Sequence, residues 1–179
     1  MRGLKVSRLF NDSNRPLIII LLIVFSGIWI ILATAGPKAI DCTYEGIKYQ
    51  AGNEAVAQST HIEVKGTYWK GGFGEMGSFK GKIIIDDMLF DYTEAALWIY
   101  KDNSASLSQD AITHRNPYGN IFFYGLFEYF TIEIFESDSH GGGIWSSGDG
   151  WLISTPCSTR SEAVILTNKL LPELFRPIK

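Results

Sequence analysis

Only two cysteines, Cys42 and Cys157, occur in 179 residues, too few for a disulfide-dense scaffold or a multi-zinc module. Histidine is almost as scarce. His61, His114 and His140 are scattered, with no H-x-x-x-H or Cys/His ligand spacing, so the residues point to no metal and no cofactor. Charged residues make up 20% of the chain, a slightly low share, while 46% are hydrophobic and 13% aromatic, which excludes an intrinsically disordered chain. Positive charge is not in excess: 16 Lys+Arg stand against 19 Asp+Glu, and a net −3 argues against a general nucleic-acid binder. Eighteen glycines follow no G-X-Y period, which excludes collagen. The length suits one domain with an appendage.

What is present is unevenly spread. Leu17 to Ala35 reads LIIILLIVFSGIWIILATA, uncharged throughout. As a helix it would extend roughly 28 Å at 1.5 Å per residue, close to the ~30 Å hydrocarbon core of a bilayer. Pro16 fits the first turn of such a helix, and Gly36-Pro37 fits its stop. Before the run, Arg2, Lys5, Arg8 and Arg15 outnumber Asp12, a net of +3; residues 37–179 carry 12 basic and 18 acidic residues, a net of −6. The expectation is therefore a cytoplasmic basic tail over 1–16, a transmembrane signal anchor over 17–35 in contact with the lipid bilayer, and an extracytoplasmic domain over 36–179. Cleavage as a signal peptide after Ala35 is the rival, because Ala33-Thr34-Ala35 is an A-x-A pattern, although the apolar run is longer than a signal core needs.

Beyond the run, period-2 patterns dominate. His61–Lys70 alternates with Ile62, Val64, Gly66 and Tyr68 on one face, and Phe79–Ile85 with Phe79, Gly81, Ile83 and Ile85. The glycine-rich link between them predicts a hairpin. Thr43–Gln50 is a short candidate strand, and Ala95–Tyr100 fits either a strand or a helical turn. Lys101 to Asn120 reads as a long loop. Ile121–Leu126 and Tyr129–Glu136 form a second hairpin, and Trp151–Thr155 is the last strand. Thr159-Arg160-Ser161-Glu162 is a capping box, followed by Ala163, Leu166, Leu170 and Leu174 on one stripe of an amphipathic helix to about Leu171. The expected fold is α+β: the N-terminal transmembrane helix, then a small antiparallel β-sheet of five or six strands covered by the C-terminal helix.

Chemistry is harder to find. His140-Gly141-Gly142-Gly143 matches an oxyanion-hole motif but lacks a G-x-S-x-G elbow and any later histidine, so it reads as a surface loop. Asp86-Asp87 is a turn signal before it is a catalytic dyad. A loop metal site from His140, Asp138 and Asp149 lacks regular carboxylate spacing. No catalytic residues emerge, and the reading leans away from an enzyme. Aromatic rings beside flexible loops are the distinctive feature. Trp145, flanked by Gly143, Ser146 and Gly148, is the first candidate binding residue, and Trp69 the second. A disulfide between Cys42 and Cys157 is permitted outside the cytoplasm, although Cys157 also suits a buried small residue.

Lys65–Trp69 (KGTYW), Phe79–Asp86 (FKGKIIID), Asn120–Gly125 (NIFFYG) with the Tyr129–Glu136 strand, and Pro156–Ala163 give the chain a layout similar to that of a group of small, uncharacterised single-pass membrane proteins of Gram-positive bacteria. The resemblance implies the anchored topology and brings no activity, cofactor or partner. The expected function is an interaction module for a protein or cell-envelope polymer. The alternatives are an accessory subunit acting through its helix and, behind both, an extracytoplasmic hydrolase.

Overall fold

A computed structural model describes residues 15–71, 76–113, 116–137, 143–171 and 178. The chain divides into two compact units, Met1–Gly36 and Pro37–Lys179. The first holds helix α1, Arg15–Ala35, and its side chains from Leu17 to Trp29 are largely exposed. The expected transmembrane anchor is corrected here: among the described residues no helix is long and apolar enough to cross a membrane. The helix exists where the apolar run predicts one. The basic residues Arg2, Lys5 and Arg8 lie outside the described residues.

The second unit is α+β, and its main sheet is antiparallel throughout. It contains β1 (Lys38–Gln50), β2 (Ala57–Trp69), β3 (Gly77–Ile85), β4 (Met88–Asp91), β5 (Leu97–Ile99), β6 (Ser104–Ser108), β7 (Pro117–Tyr124), β8 (Tyr129–Ile134) and β11 (Trp151–Thr155). Two-residue strands β9 (Glu136–Ser137) and β10 (Gly143–Ile144) pair separately. The neighbours run β4-β3-β2-β1-β11-β8-β7-β6, with β5 also paired to β3. One buried cluster draws Ile62 and Val64 from β2, Phe79 and Ile83 from β3, Leu97 from β5, Leu107 from β6, Ile121 from β7 and Ile132 from β8. Strands at both ends of the order feed the same cluster, so the sheet curls into a barrel around it. The seam between β5 and β6 is bridged by the Tyr100 N–H to Ser104 O bond, 2.8 Å.

Local chemistry explains the curvature and the closure. Gly66 and Gly81 face each other across β2 and β3. A Cβ at Gly66 would lie 2.3 Å from the Lys80 carbonyl oxygen and 2.8 Å from the Phe79 ring, so only glycine lets Phe79 lie flat across that pair. One barrel end is plugged by Phe127, fully buried at φ 61, a conformation that costs a bulky residue energy. Its ring stacks on Phe123 at 4.9 Å and leans on Phe79 at 5.2 Å, and its carbonyl accepts a 2.7 Å bond from the Tyr44 hydroxyl.

The hairpins β2–β3 and β7–β8 form as the alternation predicts. Two readings need correction. The supposed loop over 101–120 contains β6, whose pattern of serines around Ala105 and Leu107 carries little hydrophobic signal. Strand β4, unforeseen between the turn and residue 95, begins directly after the two-residue Asp86-Asp87 turn; of the two readings left open for 95–100, residues 97–99 take the strand. Helix α2, Arg160–Leu170, begins as expected: the Glu162 N–H donates to Thr159 Oγ1 at 3.3 Å. The Glu162 carboxylate accepts from the Ser158 N–H at 2.8 Å, one residue before the place a strict capping box would choose. Its fully buried positions are Ala163 and Thr167, with Leu166 and Leu170 only half-buried beside them; Leu174 lies outside the described residues.

Candidate functional site

Trp145 does not project from its loop. It is half-buried against the cluster beneath α2, and its indole N–H donates to the Trp151 carbonyl at 3.1 Å. A Cβ at Gly150 would come within 2.5 Å of the Trp145 indole nitrogen, so glycine there lets the loop fold back with the ring as its cover. Packing therefore explains this residue without a ligand. Residues 138–142, including His140, Gly141 and Gly142, lie outside the described residues, as does His114.

Trp69 is exposed at 37% and has company. Register places Trp69 opposite Ser78 of β3, and Ser78 opposite Trp98 of β5, so two indoles flank a serine in one cross-strand row. Leu97 and Ile99 point inward, which turns Trp98 and Tyr100 outward, each 52% exposed. Met76, 44% exposed, lies just before β3 at the same end. The two tryptophans lie about 10 Å apart, two strand spacings. The adjoining outer face is charged and satisfied internally: Lys65 pairs with Asp41 at 3.1 Å and Lys82 with Asp91 at 3.5 Å. Trp98 stands out in the sequence among the aromatics at strand ends, whereas Tyr100 does not, because six residues do not separate strand from helix. The cue is the alternation of Leu97 and Ile99 with them.

Beneath α2 lies a second, more polar layer. The hydroxyls of Tyr49, Thr131, Ser154 and Thr167 meet there, with Thr167 Oγ1 2.6 Å from Tyr49 Oη and 2.7 Å from Ser154 Oγ. Glu133, on the same face of β8 as Thr131, is 3% exposed, and its Oε1 has no hydrogen-bond partner. Burial pushes this carboxyl up to about 7, against the opposing pull of a hydrogen bond with Asn120.

Cys42 and Cys157 are free thiols. Cys42 packs against the barrel interior, whereas Cys157 belongs to the cluster under α2, and its N–H bonds the Glu45 carbonyl at 3.3 Å. That anchor lies three strand residues from Cys42, about 10 Å along β1 and on the opposite face, beyond the ~4.4–6.8 Å Cα separation a disulfide spans. Burial pushes the Cys157 thiol up to about 11, which keeps it protonated. His61 is exposed between Glu45 and Glu63; its hydrogen bond to Glu45 at 2.8 Å holds the imidazole above its usual range. Among the described residues no three His, Cys, Asp or Glu side chains are placed to hold a metal ion. No protein-family model, curated protein or solved structure matches the chain.

Proposed function

We propose that the barrel unit is a binding module whose contact surface is the strip formed by Trp69, Met76, Trp98 and Tyr100, presented to a protein or a cell-envelope polymer. One observation carries this reading: large apolar side chains, 37–52% exposed, gather on a single outer face although a barrel core lies one residue away in either direction. Half-exposed aromatic rings offer contact area with little entropy left to lose, and tryptophan and tyrosine commonly anchor interfaces. The test is crosslinking of the full chain in its native host, wild type beside the Trp98→Ala/Tyr100→Ala double variant. Loss of a specific captured partner in a variant that keeps wild-type stability is the expected outcome. Equal capture by both would rule the strip out.

A second reading rests on α1. Its Leu17, Ile20, Ile23, Phe25 and Trp29 side chains are all exposed, and a helix apolar on every side needs apolar surroundings. In that reading the chain is an accessory subunit, and α1 supplies the contact to another polypeptide. Capture that survives the double variant but is lost with Phe25→Ser would favour it.

A further inference from the structure

The barrel end opposite Phe127 is open. A cavity of about 380 Å³ sits there, lined by Lys48, Ile85, Asp86, Asp87, Met88, Tyr118 and Ile153. Lys48 pairs with Ile153 across β1 and β11, and it lies on the inward face of β1 with Cys42 and Tyr44. Its ammonium sits 5.4 Å from the centre of the Trp151 ring. The side-chain ion pairs His61–Glu45, His61–Glu63, Lys65–Asp41 and Lys82–Asp91 involve none of Lys48, Asp86 and Asp87. Lys48 and the two aspartates therefore line one cavity without neutralising each other. The Asp86 carboxylate is fixed rather than free to swing: Thr60 Oγ1 donates to it at 3.0 Å and the His61 N–H at 2.9 Å. Opposite charges held apart across a shared space attract a molecule that carries both.

The remaining wall is apolar. Ile85 and Ile153 are buried, and Met88 and Tyr118 are half-buried. Burial and the nearby Asp86 charge push the Tyr118 phenol up to about 12, so it is a hydrogen-bond donor at neutral pH. Behind this wall the barrel is filled: Ile62, Ile83, Ile121 and Ile132 are wholly inaccessible. No channel is left for a long acyl tail. The volume lies at the small end of the ~300–1,000 Å³ range of ligand sites, and barrel mouths are common places for such sites.

We propose that the open barrel mouth binds a small zwitterion with an apolar side chain, of the size and chemistry of a free aliphatic amino acid. Its carboxylate meets Lys48, its ammonium faces the Asp86-Asp87 turn, and its side chain rests on Ile85, Met88 and Ile153. The site is separate from the outer aromatic strip and does not depend on it.

The probe is L-leucine, titrated calorimetrically into the full chain. Two analogues each lack one charge: 4-methylpentanoate has no ammonium, and 3-methylbutylamine has no carboxylate. Saturable leucine binding is expected, with each analogue weaker by about tenfold or more, the effect of one lost charged hydrogen bond. Lys48→Gln should remove the preference for leucine over the amine, and Asp87→Asn should narrow the preference over the acid. Trp98→Ala should change neither. Leucine binding no tighter than both analogues, or the absence of leucine binding, would overturn the proposal. So would unchanged leucine affinity in a folded Lys48→Gln protein. Should that variant fail to fold, the analogue series on the unaltered chain decides alone.

Discussion

The barrel interior and the layer beneath α2 are both buried, but they are built on different principles. The interior is almost purely apolar: isoleucines and phenylalanines from eight strands meet there, with the Tyr92 hydroxyl tied to Ser108 as its polar exception. The helix layer mixes Leu152, Phe122 and Ala163 with four interlinked hydroxyls and the Glu133 carboxyl. Apolar burial is non-directional, so the interior tolerates small adjustments and draws its stability from area. Hydroxyl pairs depend on distance and angle, so the layer fixes where α2 sits more than how strongly it is held.

The largest expected effect comes from breaking the interior. Phe127→Ala removes a buried ring that touches three other phenylalanines and should cost ~3–5 kcal/mol of unfolding free energy, read from urea denaturation. A loss below ~1 kcal/mol would mean that the plug is loosely packed and the left-handed turn relaxes when the ring is gone.

The helix layer should respond to pH where the interior does not. Glu133 titrates near 7 when folded and at the ordinary carboxyl value of 4.5 when unfolded. A raised carboxyl value means that the folded form holds its proton more tightly. The associated stability is complete below 4.5, falls as pH rises, and is gone above about 7. The expected loss across that window is ~1–3 kcal/mol. Glu133→Gln should remove this component from the denaturation midpoint measured at several pH values. An identical pH profile in the variant would show that the carboxyl is solvated.

Thr167→Val is the finer probe of the same layer. It keeps the shape of the side chain but deletes the oxygen at the centre of the hydroxyl cluster, leaving the partners on Tyr49 and Ser154 to rearrange. A cost of ~1–2 kcal/mol is expected, smaller than that of Phe127→Ala. An α2 that stays in place by amide hydrogen exchange, with lower overall stability, would assign the cluster to strength. Selective loss of protection in α2 would assign it to positioning.

The contrast also explains what can be read in advance. Ile62, Val64, Phe79 and Ile83 declare themselves because alternation is a direct image of a one-sided core. Strands β7 and β8 are buried on both faces, and there the pattern gives density without saying which face meets what. The polar helix layer is illegible in the same way, since Thr131, Ser154 and Thr167 look like surface residues until α2 covers them. Curling of the sheet is also beyond a one-strand pattern: it depends on β11 reaching both β1 and β8, a pairing between distant segments. For the candidate surface, the composition points to exposed aromatic residues, and Trp69 is among them. Trp145 misleads because glycine-rich neighbours usually mark an open loop, whereas Gly150 makes room for the ring to fold home.

Strand β11 is the closing member of the ring, bonded to β1 on one side and β8 on the other. During synthesis the meander β1 to β8 can therefore assemble only as an open sheet with two unsatisfied edges until Thr155 has left the ribosome. A stall or a truncation before Trp151 would leave those edges, both rich in isoleucine and aromatic residues, free to recruit strands from other chains. The last strand thus does for solubility during biogenesis what the apolar interior does for stability afterwards.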